Sequence, residues 1–405
     1  MMSDSNPWLS VVGIGDSGLD SLTPVAKSAL DAADVIFGGK RHLAHLGNDQ
    51  RNLQSWSSPF SDSIERVLEY RGQTVVILAT GNPLWFGAGS ALIRSVSAEE
   101  IRFYPTPSAY SLAAARLGWP IEDTFCLTVH GRRLESLIPF ITPNQKLLVL
   151  CHNGGSPGEI AKMLNDRGYG DSVLTALSHM DGQQETVLEN NANEWHETDL
   201  PHLTTLAVHC IAGQNAMIAS TTPGLPDQAF EHDGKITKRE VRAATVSALA
   251  PLPGQFLWDV GAGSGSVAIE WCRATKGATA SAIEQHQDRL GMIRNNALAL
   301  GTPNLEIVAG SAPDALNNLS HPDAIFIGGG VSTDGVVEAC WDALLPQGRL
   351  VANAVTIEGE SRLIAAQETY GGELVRFAIS RAEAVGSFQG WKPMMPVTQW
   401  RVAKK

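Results

Sequence analysis

The run Phe256-Leu257-Trp258-Asp259-Val260-Gly261-Ala262-Gly263-Ser264-Gly265-Ser266-Val267-Ala268-Ile269-Glu270 constrains the chain more than any other stretch. Phe256 to Val260 is an apolar run short enough for a buried strand. Glycines follow at alternate positions, and Val267 onward has a helical pattern. A strand, a glycine turn and a helix form the entry to a nucleotide site, because missing Cβ atoms let backbone amides reach a ligand at a helix N-terminus.

The spacing selects the ligand. A dinucleotide site needs G-x-G-x-x-G with pyrophosphate on the helix dipole. Here the pattern is Gly261-x-Gly263-x-Gly265, with Asp259 just ahead of it. A buried carboxylate there would repel pyrophosphate but suits a ligand carrying an amine and a sulfonium, as S-adenosylmethionine does. Ala278 to Ile283 reads as the next strand, and Glu284 ends it where a carboxylate accepts ribose hydroxyls.

These residues resemble motif I of the class I S-adenosylmethionine-dependent methyltransferases, and later segments fit that Rossmann-like pattern. Leu305 to Gly310 reads as a third strand, followed by Ser311 and Ala312 at the expected adenine edge. Ala324 to Ile327 reads as a fourth strand, entered by Asp323 and left through Gly328-Gly329-Gly330. Asp323 is therefore the candidate acid near the transferring methyl. Leu350 to Asn353 reads as a fifth strand, and the runs 374–380 and 396–402 suit an antiparallel pair at the sheet edge.

At 405 residues the chain exceeds one ordinary core, so two or three domains are expected. The first half alternates strand and helix patterns from Leu9 onward, and regular periodicity is lost over Ala212 to Gly234. The expected division is 1–213, with subdomains of about 1–118 and 119–213, a linker at 214–229, and a second domain at 230–405. The overall class is α/β.

The first half resembles the tetrapyrrole methylases, class III S-adenosylmethionine enzymes with two α/β subdomains. Gly13-Ile14-Gly15 matches their opening turn, and Leu78 to Gly87 their cofactor loop. The segment Tyr104 to Gly118, with Ser108 and Ala109 at a helix start, is the most specific match. The resemblance implies cofactor binding by Gly13, Gly15, Gly81, Asn82, Pro83, Ser108 and Ala109. Where the family's loop usually reads Gly-Asp-Pro, this chain has Gly81-Asn82-Pro83, which keeps the carbonyl acceptor and loses the charge.

The order of the two folds resembles the fused, decarboxylating methyltransferases of cobalamin biosynthesis. That resemblance implies two S-adenosylmethionine sites per chain and a corrin-precursor substrate, precorrin-6B, methylated at carbons 5 and 15. It also implies loss of the carbon-12 acetate carboxylate, giving precorrin-8. Metal-free and cobalt-bearing precursors both fit. A homo-oligomer is implied too, a tetramer through the C-terminal domain.

The substrate is polyanionic, so its site needs cations. Asp233 to Ala243, which matches the family signature ahead of motif I, places Lys235, Lys238, Arg239 and Arg242 together. If Thr237 caps a helix, Lys238 and Arg242 share a face at i,i+4 and form a carboxylate clamp. Arg132-Arg133 and Lys40-Arg41 are weaker candidates of the same kind.

The formal charge of −12 argues against nonspecific nucleic-acid binding. Scattered cysteines without a C-x-x-C or His/Cys cluster argue for no metal site and for a reduced, cytoplasmic setting. No membrane-length apolar run and no leader pattern at Met1 to Pro7 are visible.

Overall fold

The computed structural model describes residues 7–197 and 199–405. The leader reading at the N-terminus rests mostly on residues 1–6, which lie outside the described residues. The chain divides into two compact units. One comprises the described residues up to Arg132 together with Phe140–Met217; the other comprises Arg133–Pro139 and Ile218–Lys405.

In the first unit, β1 (Leu9–Ile14), β2 (Val35–Gly38), β3 (Asn52–Ser55), β4 (Val75–Thr80) and β5 (Ile101–Tyr104) form one sheet in the order β3-β2-β4-β1-β5. Every pairing is parallel. Apart from Ser10 and Thr80, β1 and β4 are apolar and buried on both faces, as a central parallel strand must be. The C-terminal ends of β1, β4 and β5 therefore lie side by side, and their loops share one edge.

A second sheet of this unit has the order β6-β7-β10-β8-β9, from β6 (Thr124–Thr128), β7 (Lys146–Leu150), β8 (Val173–Ser178), β9 (Thr186–Asn191) and β10 (Thr204–His209). Only β6 and β7 pair in parallel. The helix Ala109–Leu117, capped by Ser108 and stopped by left-handed Gly118, packs Tyr110 and Ala113 against Leu148, Leu177 and Ala207 of this sheet.

In the second unit, β11 (Phe256–Val260), β12 (Thr279–Glu284), β13 (Glu306–Ala309), β14 (Ala324–Ile327), β15 (Arg349–Ala354), β16 (Glu373–Phe377) and β19 (Val397–Ala403) form a seven-stranded sheet. Its order is β13-β12-β11-β14-β15-β19-β16, with β19 antiparallel to both neighbours. The order reverses at β11, a switch point where ligands bind in α/β sheets. Apolar clusters cover both faces, one around Trp271 and Ile293, the other around Trp258, Cys340 and Trp400.

The sequence implies the edge pair β16–β19, and Leu374 does stand opposite Trp400. It misses the separate hairpin β17 (Ser380–Val385) and β18 (Phe388–Pro393) between them. The expected linker 214–229 also needs correction. Leu225 and Asp227 are buried in the second unit, and the Gly224 and Leu225 amides donate to Glu270 at 2.8 and 2.9 Å. Its later residues are part of that unit's core because Glu270 captures their backbone.

Candidate functional site

The glycine turn follows β11 as expected. Gly261, Gly263 and Gly265 all hold positive φ, at 69°, 60° and 75°. A Cβ on Gly261 would strike the Gly329 backbone at 2.6 Å, so the loops after β11 and β14 meet only because Gly261 lacks a side chain. Gly263 is different. A Cβ there would meet only the Lys235 carbonyl at 3.4 Å, so the turn is held open beneath the segment that carries the lysines.

Asp259 is buried at the end of β11, where its Oδ2 accepts the Ala268 amide at 3.0 Å. That amide is one of the free donors of the first turn of the helix Ser266–Ala274. Burial, with a contribution from the charge of Glu284, pushes the Asp259 carboxyl up to about 7. Asp259 Oδ1 and Ser264 Oγ are both buried and have no partner among the described residues. Unpaired buried acceptors are costly, and a ligand amine is one partner that would satisfy them.

Glu284, at the end of β12, accepts the Gly263 amide at 2.8 Å and the His286 amide at 2.9 Å. Ser311 and Ala312 follow β13 beside it, where the Gly310 amide donates to the Glu284 carbonyl at 3.0 Å. Asp259, Glu284, Ser311 and Ala312 thus gather at one end of the sheet around the glycine turn. The residues fit S-adenosylmethionine: an orphaned acceptor for its amine, a carboxylate at the ribose position and an open cradle between them.

Two expectations fail. Asp323 precedes β14 and lies at the opposite end of the sheet from the turn. Its carboxylate accepts the Phe256 amide at 2.8 Å, and its own amide donates to the Phe256 carbonyl at 2.9 Å. It fastens the first residue of β11 and is remote from the glycine turn. Arg242 is fully buried and also spent. It bonds Glu270 at 2.8 Å and Asp227 at 3.3 Å, and donates to the Thr237 and Leu225 carbonyls.

Lys238, not Thr237, is the N-cap residue; its carbonyl accepts the Arg242 amide at 2.7 Å, but with the Arg242 side chain buried and paired the two side chains form no clamp. Arg239 and Lys235 are exposed and Lys238 half-exposed. Of these, Lys235 is placed at the turn, where its carbonyl overlies Gly263.

In the first unit, the loops after β1, β4 and β5 interlock. A Cβ on Gly13 would run into the Gly81 carbonyl, and Thr106 donates its amide to that same carbonyl at 3.2 Å. Gly81 donates to the Ile14 carbonyl at 3.2 Å, and Gly15 to Ser21 Oγ at 2.8 Å. Asn82 Oδ1 accepts the Leu84 amide at 3.0 Å, a turn-stabilising bond that Asp would make equally well, which accounts for the tolerated change. Pro83 is buried behind it. Ser108 Oγ accepts the Ser111 amide at 3.1 Å and leads the chain into Ala109.

The sequence reading leaves out a polar cluster on these loops. Asp16 Oδ1 pairs with Arg41 at 2.9 Å, and Asp16 Oδ2 lies 3.0 Å from His179 Nδ1. Arg41 and His42 both reach Thr80 Oγ1, at 2.9 and 3.0 Å. Ser17 donates to Asp181 at 3.2 Å. Asp16 directly follows Gly15 and Thr80 directly precedes Gly81, an adjacency that was the available signal.

Comparison with known proteins assigns both halves. The family of tetrapyrrole (corrin/porphyrin) methylases matches residues 9–193, and the precorrin methyltransferase domain matches 228–404. A precorrin-6Y C(5,15)-methyltransferase (decarboxylating) of Sinorhizobium sp is 44% identical over 400 residues, covering 98% of this chain and 97% of that protein. Its counterpart in Mycobacterium tuberculosis strain H37Rv is 39% identical over 399 residues, 98% of this chain and 99% of that protein. A half-length relative, the cobalt-precorrin-7 C(5)-methyltransferase of Salmonella typhimurium, is 30% identical over 197 residues, 46% of this chain and 89% of that protein.

Proposed function

The chain belongs to the precorrin-6Y C5,15-methyltransferase (decarboxylating) family, and from that premise we propose how its two halves share the work. It is a methyltransferase of cobalamin biosynthesis that uses S-adenosylmethionine. The first half methylates carbon 5 of the corrin precursor. The second half methylates carbon 15 and removes the carboxylate of the carbon-12 acetate, converting precorrin-6B to precorrin-8 over the two steps. Each half holds its own cofactor, so the chain has two sites.

The supporting observation is that each unit carries a complete, unrelated set of cofactor loops, one around Gly81 and one around Gly263. The C5 activity also exists in a half-length relative, so the two methylations are separable.

Bound S-adenosylmethionine supplies an electrophilic methyl group to an electron-rich ring carbon. In the second half, Asp259 and Glu284 hold the cofactor's amine and ribose, while Ser311 and Ala312 border its adenine. Lys235, Lys238 and Arg239 hold substrate carboxylates over Gly263. In the first half, Gly13, Gly15, Gly81, Asn82, Pro83, Ser108 and Ala109 shape the cofactor bed. Positioning and water exclusion account for most of the catalysis of such a transfer.

The chain works as a homo-oligomer through its second half. The β17–β18 hairpin supports this, because Val385 and Phe388 stand opposite each other at 63% and 80% exposed and Trp391, on the other face of the ribbon, is 78% exposed, apolar area that favours burial against another copy. No helix among the described residues is long and apolar enough to cross a membrane. The partner is a corrin precursor and not a nucleic acid, and the working compartment is the cytoplasm.

The test is incubation of the full chain with precorrin-6B and methyl-labelled S-adenosylmethionine. Two labelled methyls gained and one carbon dioxide lost per substrate support the reading. A single methyl with the acetate retained overturns it.

A further inference from the structure

Methylation at carbon 5 replaces a hydrogen. The ring carbon's π electrons form the new carbon–carbon bond, and the methyl–sulfur bond breaks with its electrons staying on sulfur. The C5–H bond must then break, returning its electrons to the conjugated system and releasing a proton. Resting on the assignment of carbon 5 to the first half, we propose that His179, oriented by Asp16, is the general base that receives this proton on Nε2.

The geometry is that of an oriented base. Asp16 Oδ2 lies 3.0 Å from His179 Nδ1, and a carboxylate can only accept, so Nδ1 carries the hydrogen and in the neutral ring Nε2 presents its lone pair. Among the described residues no side chain or backbone group bonds Nε2, and the His179 side chain is 23% exposed. The other Asp16 oxygen is fixed by Arg41 at 2.9 Å, so the carboxylate cannot rotate away.

The dyad also sits where the cofactor loops end. Asp16 follows Gly15, and Arg41 ties Asp16 to Thr80, which precedes Gly81. A Cβ on Gly15 would lie 3.7 Å from Asp181 Oδ2, so the His179–Asp181 loop touches the opening turn. His179 and Asp181 are both held at positive φ, 50° and 66°, a conformation that costs energy in non-glycine residues and recurs at working sites.

His42, the other imidazole here, is poorly placed for the role. Its Nε2 is engaged by Thr80 and Arg41, and its Nδ1 is buried. Burial first, then Arg41 and His45, lower its pKa to about 4, which makes it a weak base. The charged and titratable groups around the dyad are Arg41, His42 and His45 from the segment after β2, with Asp181 from its own loop. Glu185 is bound to the Asp181 amide and to Arg116.

The experiment compares His179→Ala and Asp16→Asn with the parent full-length chain, following methyl incorporation at carbon 5. His179→Ala should lower kcat about 100-fold, the low end for a lost general base, with KM and S-adenosylhomocysteine affinity unchanged. Added imidazole should restore part of the rate, and substrate deuterated at carbon 5 should now show a primary isotope effect. Carbon dioxide release by the second half should persist.

In the cofactor-free protein, ¹H–¹⁵N spectra should show His179 protonated on Nδ1, and a tautomer mixture in Asp16→Asn. An unchanged C5 rate in His179→Ala, a loss that imidazole does not restore, or an Nε2-protonated His179 in the parent would overturn the assignment. A parent chain that leaves carbon 5 unmethylated in its first half would instead refute the reading on which the assignment rests.

Discussion

Arg242 Nε lies 2.8 Å from Glu270 Oε1, with the two side chains 0% and 2% exposed. The pair is the centre of a charged chain. Arg242 also meets Asp227, which meets Arg381 of β17 at 3.3 Å, and Arg381 reaches Glu240 at 2.6 Å. The network fastens the segment before the helix Arg239–Leu249, that helix, the helix Ser266–Ala274 and the hairpin to one another.

A buried charge left without its partner is costly. Arg242→Ala should therefore destabilise the second unit by about 3–5 kcal/mol, read from its unfolding transition in urea. Replacing Arg242 and Glu270 together by apolar residues of similar size should cost less than either single change. A loss below about 1 kcal/mol in Arg242→Ala would mean that the pair is solvated.

Lys238 and Arg239 should behave in the opposite way. The double change Lys238→Ala with Arg239→Ala should leave stability within about 0.5 kcal/mol, as surface substitutions do. It should weaken substrate use in the carbon-15 reaction by about 2–5 kcal/mol in kcat/KM if these charges hold carboxylates. Steady-state rates of carbon dioxide release decide this, and an unchanged kcat/KM would remove the cations from the site.

Asp259 gives the second site a pH dependence. Its folded-state carboxyl is raised to about 7, above the ordinary carboxylate value, so the cofactor-free fold loses stability as pH climbs from that value towards 7. A cationic amine beside Asp259 prefers the ionised form. Binding of S-adenosylhomocysteine should therefore release a proton near pH 6 and tighten up to about pH 7, then level off. Calorimetry in buffers of different ionisation enthalpy measures the proton, and Asp259→Asn should abolish both the release and the slope.

Gly263→Val places a branched side chain in the open cradle at φ 60°. Titration with S-adenosylhomocysteine should fall from two sites per chain to one, with the first unit's site intact. Two remaining sites would show that the turn does not contact the cofactor.

Much of this was legible in the sequence because the glycine turn joins local and global constraints. An apolar strand, alternate glycines and a helix can be satisfied together in few ways, and Glu284 ends the next strand at the same edge. Asp323 was misplaced although the clue was present. A residue that enters a parallel strand lies at the end remote from the loops that leave it.

Arg242 was misread because spacing on a helix cannot say which face is buried, and its partners Glu270 and Asp227 are distant in sequence. The β17–β18 hairpin escaped because its apolar residues face outward, so no core pattern marks it. The Asp16–His179 contact joins residues 163 positions apart, beyond the reach of any local pattern.

The division of labour is tested most directly by the product of full-length Gly81→Val on precorrin-6B. Gly81 holds φ 59°, and a Cβ there would approach Ser108 Cα at 3.0 Å, so the change should disable the first unit's cofactor bed alone. Mass spectrometry should then find one labelled methyl gained and one carbon dioxide lost, with carbon 5 unmethylated. A product carrying two methyls, or one that keeps its acetate carboxylate, would contradict the account.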